Sequence, residues 1–330
     1  MTARTSSYVV LRMALIPPNY LKAVVALGTD GDEQGERLWV ASGFHYFHRV
    51  ADENGEARYQ PFLVTNRHVV DRTASLYVRI NPVDGNVREY QLFAGTEDAP
   101  LWTTHPDPEI DIAVTHLNYE LFQTGELDTY FLQSDTDCAD VTVMAAAGVT
   151  EGDFVYFLGF PMGLVGTDRD SVLARSGTIA RISDMLAGGA SSFVLDASVF
   201  PGSSGGPVVL KPEYVSITGT EAVNRAYTIG VVAGYLHYPD VAISQQSGRP
   251  RVVFEENAGL AVAFPMDAVF ATAEHALGLI PPELRSDEES QAGGLAIEAD
   301  DASRGTRTRR SINRSAAAAT PEECGPRARP

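Results

Sequence analysis

The chain has 330 residues, of which 44% are hydrophobic and 21% are charged, as is typical of a soluble globular protein. It contains no run of 18 or more apolar residues, so the sequence predicts no membrane-spanning helix. The net charge of −18 disfavours nucleic acid as a partner, because phosphate binding needs a basic surface.

The cysteine content and the N-terminal segment indicate the cellular compartment in which the protein is expected. Two cysteines, Cys138 and Cys324, are too few for a secreted disulfide framework and fit a reducing environment. The N-terminal run YVVLRMALIPP is interrupted by Arg12, and no small-residue cleavage site follows it. We interpret this run as the first structured segment and predict a cytoplasmic protein, with export as the alternative.

Ten short apolar runs separated by turn residues predict an all-β domain, either a sandwich or barrels. Strands and helices do not alternate regularly, which disfavours a parallel sheet. In chain order the runs lie in RLWVASGFHYF, PFLVTNRHVV, SLYVRI, DIAVTHL, FVYFLGF, GTIARI, SFVLDASV, PVVL, YTIGVVAGYL and GLAVAF.

Three further segments complete the organisation of the chain. Residues 49–61 are polar with Asn-Gly at their centre, which predicts a hairpin between two strands. Residues 265–280 carry apolar side chains at helical spacing, which predicts an amphipathic helix. Residues 283–330 are acidic and then arginine-rich with few large apolar side chains, so we predict a folded domain over 1–282 and a flexible tail after it.

The segment FPGSSGGPVV, from Phe200 to Val209, places a serine among closely spaced glycines. A serine hydroxyl is a weak nucleophile and needs a base and donors for the developing oxyanion. If Ser204 attacks a carbonyl, its own N–H and that of Gly202 can converge on the oxygen, and glycine permits the required backbone conformation. Pro207 is predicted to begin a strand. The alternative interpretation is a glycine-rich turn.

A general base and an orienting carboxylate have candidates in two other apolar runs. His68 follows a predicted strand, where the Thr65 and Asn66 side chains are expected to fix the turn. Asp111 directly precedes the apolar residues of DIAV and needs a partner there, which a histidine N–H can provide. A structural histidine and a turn-capping aspartate are the alternatives. The chain order His68, Asp111, Ser204 is one found for this catalytic geometry.

The chain resembles the trypsin-like serine proteases of the chymotrypsin fold, and among them the bacterial HtrA/Deg-like branch, over roughly residues 20–280. The specific matches are TNRHVV, DIAV and DASVFPGSSGGPVV; GDFVYFLGFPMGL, ARSGTIARI and AGLAVAFP match less specifically. The resemblance implies two six-stranded antiparallel β-barrels, divided near residues 140–150, and a C-terminal helix. It implies cleavage of protein or peptide substrates through an acyl-enzyme, with His68 as base, Asp111 as its orienter and Ser204 as nucleophile, and with Gly202 and Ser204 forming the oxyanion hole.

The substrate pocket is expected to involve Ser198 and the strand residues Val232, Ala233 and Gly234. None of these carries a carboxylate, so we predict small or medium apolar P1 residues. No metal-binding pattern occurs, and no metal or cofactor is predicted. Residues 283–330 are too few and too polar for the PDZ domain that HtrA relatives carry.

Two other functions are considered. A latent or inactive protease-like binding module is the main alternative to an active enzyme. An α/β-hydrolase esterase is disfavoured, because it would need a G-x-S-x-G motif and the chain order Ser, Asp, His.

Overall fold

The computed structural model describes residues 15–31, 37–51, 57–71, 73, 75–93, 101–213, 223 and 225–279. Most of the predicted N-terminal segment and all of the predicted tail lie outside these residues, so both stay predictions. None of the helices in the described part of the chain is long and apolar enough to cross a membrane.

The described residues form strands and short helices in the following order. The strands are β1 (Val24–Thr29), β2 (Leu38–Ala51), β3 (Ala57–Thr65), β4 (Ser75–Ile80), β5 (Arg88–Phe93), β6 (Thr103–Thr104), β7 (Ala113–His116), β8 (Leu132–Gln133), β9 (Phe154–Gly159), β10 (Leu173–Arg181), β11 (Phe193–Asp196), β12 (Pro207–Leu210), β13 (Thr228–Ile243) and β14 (Pro250–Pro265). The helices are α1 (Pro18–Ala23), α2 (Arg67–Val70), α3 (Glu120–Gln123), α4 (Val141–Ala146), α5 (Ser183–Leu186) and α6 (Met266–Leu279), and a 3-10 turn covers Pro161–Gly163.

The first eight strands form one sheet, in the order β5-β4-β1-β2-β3-β7-β6, with β8 pairing with β2. The predicted pairing of two strands around Asn-Gly is confirmed, since β2 and β3 run antiparallel up to Ala51 and Ala57, while the turn itself, residues 52–56, lies outside the described residues. The resemblance implies a six-stranded barrel here, whereas the sheet has eight strands. The sequence does not mark β6 and β8, because each is two residues long and carries no apolar run. Closure of this sheet into a barrel stays a prediction.

The last six strands form a closed barrel in the order β10-β11-β14-β13-β12-β9, which confirms the predicted C-terminal barrel. Large apolar side chains such as Phe157, Phe193 and Leu195 fill its interior. Pro207 begins β12, as the sequence predicts. Closure pairs the strand edges with each other, so the barrel wall offers little unpaired backbone.

The predicted C-terminal helix is confirmed as α6. Its side chains Val269, Ala273 and Ala276 are buried in one core with Phe62 and Val114 of the first sheet. The helix follows a barrel strand yet contacts β6 and β7, so it ties the C-terminal barrel to the N-terminal sheet.

The strands β13 and β14 are longer than the sequence predicts. The apolar runs indicate strands ending near Leu236 and beginning near Gly259, whereas each strand has 16 residues. Their outer parts, 236–243 and 250–257, pair only with each other within the described residues. The sequence shows no alternating pattern there because neither face of this extension is buried.

His45 in β2 is a buried histidine away from the candidate site. Its ring lies 5.2 Å from the ring of Phe122 and 5.0 Å from that of Phe131, and its Nδ1 is 2.6 Å from the Thr129 hydroxyl. Burial lowers the pKa of His45 to about 3. The neutral ring therefore acts as part of the apolar core.

The pH dependence of stability should reflect this burial. The folded-state pKa of His45 is below its unfolded value, so the unfolded chain binds a proton more readily and stability falls as the pH drops from about 6.5 towards 3. His45→Gln should reduce the slope of the unfolding free energy against pH by about 1.4 kcal/mol per pH unit in that window. Urea unfolding between pH 8 and pH 4.5 measures it. At pH 8 the histidine is largely neutral in the unfolded chain as well, so the difference in unfolding free energy between the two proteins there gives the packing cost of the substitution. Equal slopes for both proteins would contradict the prediction.

Candidate active site

His68 and Asp111 lie together although 43 residues separate them in the chain. His68 is in the single helical turn α2 that follows β3, and Asp111 lies just before β7, which pairs with β3. The His68 ring Nδ1 is 2.6 Å from Asp111 Oδ2, and the His68 backbone N–H donates to Oδ1 at 2.9 Å. Because an ionised carboxylate only accepts, this contact requires a proton on Nδ1, and in the neutral ring Nε2 is then the accepting nitrogen.

The side chains of Thr65 and Asn66 bind other segments rather than their own turn, which corrects the sequence expectation. The Asn66 Nδ2 donates to the Asp111 carbonyl at 2.7 Å, and the Thr65 hydroxyl donates to the Ser42 carbonyl at 2.9 Å. Both are long-range bonds that a local turn pattern does not reveal. The Asn66 bond ties the segment of His68 to the backbone of Asp111, and the Thr65 bond ties it to strand β2.

Ser204 lies in the loop between β11 and β12 and lines the same pocket as His68. Its hydroxyl donates to the Ala233 carbonyl at 3.1 Å, and no hydrogen bond joins it to His68 in the described structure. Ala233 can accept because β13 has an irregular register there: Val232 pairs with Ala263 and Gly234 with Val262, which leaves Ala233 between them. The resting nucleophile candidate is therefore held by the barrel wall.

Within the segment 202–206, the backbone N–H groups of Gly202 and Ser204 have no acceptor among the described residues. The Pro201 carbonyl accepts from Met162 N at 2.5 Å, so across the trans peptide the Gly202 N–H points the opposite way. The Ser203 carbonyl accepts from Gly206 N at 3.1 Å, which turns the Ser204 N–H away in the same manner. Both residues line the pocket, so two donors are available there.

Ser42 in β2 is a buried residue that sequence analysis missed. Its hydroxyl donates to the Gly202 carbonyl at 2.7 Å and accepts from Phe160 N at 2.9 Å. Its backbone N–H donates to the Ser204 carbonyl at 2.8 Å. A strand of the first sheet therefore holds a loop of the second barrel on both sides of Ser203. No local sequence pattern marks Ser42 for this role.

Gly205 shows how closely the loop approaches β2. It has a φ of +83°, and a Cβ there would collide with the Ser42 carbonyl and the Thr65 hydroxyl. Only glycine combines that conformation with that contact. The loop therefore packs directly against β2 and the end of β3 at this position.

The pocket beside Ser204 has a volume of about 350 Å³. Of the predicted substrate-binding residues, Val232, Ala233 and Gly234 line it. Ser198 is exposed and does not line it; its carbonyl accepts from the Arg175 guanidinium at 2.5 Å. The remaining lining residues are Val40, His68, Val199, Phe200, Pro201, Gly202, Ser203, Ser204, Tyr235 and His237.

Tyr235 and His237 are among the lining residues that were not predicted from the sequence. Both follow the irregular stretch of β13, and His237 Nδ1 lies 3.7 Å from the Glu255 carboxylate. They become part of the pocket because β13 continues past the barrel. Among the described residues, no group of three or more His, Cys, Asp or Glu side chains could hold a metal ion.

Removing the Ser42 hydroxyl should loosen the Ser204 loop. Ser42→Ala leaves the Gly202 carbonyl and the Phe160 N–H without their partner in a buried site, so we expect a loss of about 1–3 kcal/mol in unfolding free energy. Denaturant unfolding measures this, and hydrogen exchange of the loop amides should accelerate. The control is the exposed Ser191, where Ser191→Ala should change stability by less than about 0.5 kcal/mol. Equal effects of the two substitutions would contradict the assigned role.

The family model described as "Trypsin-like peptidase domain" matches residues 41–214, more than half of the chain. The match includes His68, Asp111 and Ser204. No curated protein sequence matches the chain. A solved structure described as a variant of the HtrA-type protease AlgW with a tripeptide is similar to this chain, with a TM-score of 0.41 and 19% identity. The similarity covers 79% of this chain and 62% of that chain, so this chain spans less than two thirds of that protein's length.

Proposed function

Because the chain belongs to the trypsin-like peptidase family, we propose that it is a serine endopeptidase that hydrolyses peptide bonds through an acyl-enzyme. The observation that carries this proposal is the His68–Asp111 pair, whose histidine lines the same pocket as Ser204. The Asp111 carboxylate binds both the ring and the backbone of His68 and so holds the histidine in one orientation.

In the proposed reaction, the Ser204 Oγ attacks the carbonyl carbon of the substrate while His68 Nε2 takes its proton. The carbonyl oxygen becomes an oxyanion that accepts from the Gly202 and Ser204 N–H groups. The C–N bond then breaks as His68 returns the proton to the leaving amine. Water, deprotonated by His68, hydrolyses the acyl-enzyme and restores Ser204. Asp111 keeps the Nδ1 proton in place and stabilises the imidazolium.

Attack requires the Ser204 hydroxyl to leave the Ala233 carbonyl, to which it donates in this structure. We propose that a rotation about the Cα–Cβ bond turns it to His68 Nε2, since catalytic hydrogen bonds often tighten only when substrate binds. The same bond to Ala233 supports the second candidate function, a latent protease-like module whose serine stays bound to the barrel wall.

The pocket chemistry supports small or medium apolar P1 side chains. Val199, Phe200 and Val232 form apolar walls, and no carboxylate lines the pocket in the described chain. The Arg175 guanidinium lies 5.0 Å from the centre of the Phe200 ring, so a positive charge already stands beside this wall. A basic P1 residue would lose hydration there without gaining a counter-ion.

A fluorophosphonate probe tests the nucleophile and separates the two candidate functions. Labelling of the wild type but not of Ser204→Ala is expected, because the probe esterifies an activated serine. Asp111→Asn should slow labelling and peptide cleavage by about 10⁴-fold, because one of the two acceptor oxygens becomes an NH2 donor, which favours the wrong tautomer of His68. The matched control is the neighbouring buried Ser203, and Ser203→Ala should still be labelled. No labelling of any form would support the latent module, and labelling of Ser204→Ala would exclude this nucleophile.

The oxyanion hole can be tested at Gly202. This residue has a φ of +94°, and a Cβ would collide with the Phe160 carbonyl, so Gly202→Ala should displace its N–H. We expect kcat to fall by about 10²–10³-fold with little change in KM.

The control for this substitution is Gly188, which has a φ of +77° but open space around its Cβ position. Gly188→Ala carries a similar backbone strain far from the pocket and should leave kcat within about 2-fold. Steady-state kinetics on a peptide substrate compares them. Equal kcat values for Gly202→Ala and Gly188→Ala would mean that the Gly202 N–H has no part in the reaction.

A further inference from the structure

The extension formed by residues 236–243 of β13 and 250–257 of β14, here called the ribbon, is an unusual surface. Of the 17 large hydrophobic side chains exposed in the described chain, seven lie on it. These are Leu236, Tyr238, Val241, Ile243, Val252, Val253 and Phe254. Monomeric soluble proteins rarely expose so many large apolar side chains together, and such patches mark interaction sites.

Both faces of the ribbon carry apolar side chains. Val241 pairs with Val253 on one face, while Tyr238 and Phe254 belong to the other, since residues of alternate register point to opposite sides. A two-stranded ribbon is marginal by itself, because neither face is covered and neither edge is paired. A partner that pairs with an edge would extend the sheet and bury part of both faces.

The two edges of the ribbon are not equivalent. The β13 edge contains Pro239, which has no N–H to donate and is tolerated in sheets where a strand edge stays unpaired. The β14 edge runs from Arg251 to Asn257 without a proline. Within the described residues this part of β14 has no neighbour other than β13. The β14 edge is therefore the one able to accept another strand.

The sequence of this edge, RVVFEE, complements itself when two copies run antiparallel. Pairing centred on Val253 sets Arg251 opposite Glu255 of the partner subunit, and Val252 opposite Phe254 of the partner subunit. A centre between Val253 and Phe254 sets Arg251 opposite Glu256 of the partner subunit. The register centred on Val253 places opposite charges at both ends and apolar pairs between them, the combinations that stabilise cross-strand pairs. The second register keeps the opposite charges but sets Val252 opposite Glu255 of the partner subunit, so the register centred on Val253 is favoured.

We propose that two copies of this chain associate through the β14 edges of their ribbons, forming an antiparallel, two-fold symmetric dimer. Such an interface uses the same patch twice and closes on itself. Anionic lipid is a poorer occupant, because the chain has a net charge of −18 and the ribbon carries Asp240, Glu255 and Glu256 against the single arginine Arg251. The dimer does not depend on the proposed peptidase activity.

Charge complementation between two variants tests the dimer. In a Ser204→Ala background, which prevents self-cleavage, sedimentation velocity from 1 to 100 µM should show the full chain dimerising. Arg251→Glu alone, and Glu255→Arg with Glu256→Arg, should each weaken dimerisation by about 10-fold or more, because like charges then face each other. An equimolar mixture of the two should dimerise again, since both ends of the mixed pair regain opposite charges.

A matched control separates the ribbon from general surface effects. Val253→Lys should abolish the dimer, whereas Val83→Lys, at a similarly exposed valine outside the ribbon, should not change it. A monomeric wild type at 100 µM would overturn the proposal, and so would a dimer that resists Arg251→Glu. A different outcome is that the chain is monomeric with and without the ribbon substitutions, and that the same substitutions raise KM for a polypeptide substrate in the chain that keeps Ser204. The ribbon would then bind substrate and not a second copy, and the proposal would be overturned.

Discussion

The candidate active site depends on the contact between the Gly202–Gly206 loop and strand β2, and Ser42 is at its centre. The Ser42 hydroxyl and backbone N–H bind carbonyls on both sides of Ser203, and its own carbonyl lies against Gly205. The loop belongs to the C-terminal barrel, whereas β2, like the segment of His68, belongs to the N-terminal sheet. This contact therefore sets the position of Ser204 relative to His68.

Much of the fold and the chemical core of the site could be predicted from the sequence, because both leave local patterns. Apolar runs of strand length between turn residues indicated most strands, and helical spacing indicated α6. The segment around Ser204 is recognisable because its backbone needs glycine at positive φ at Gly202 and Gly205, and these two glycines lie close together in the sequence. Asp111 was predicted from the cost of an unpaired carboxylate beside a buried strand.

The features that escaped prediction arise from contacts between distant segments. In the sequence, nothing distinguishes Ser42 from any other serine in an apolar strand. Its role depends on Phe160 and Gly202, which only the fold brings next to it. The availability of the Ala233 carbonyl follows from the register of β13 against β14, which no short motif records. Ser198 was expected to line the pocket because it lies shortly before Ser204. In the structure Ser198 is exposed, and its backbone carbonyl accepts from the Arg175 guanidinium.

Pro239 has a consequence for solubility as well as for pairing. A ribbon with two open apolar edges would let each added molecule offer a fresh edge to the next, which is how fibrils grow. With the β13 edge interrupted, only β14 can recruit, and a two-fold pair uses up that edge on both molecules. In the proposed dimer, Pro239 would thus allow the chain to expose this apolar surface without open-ended polymerisation.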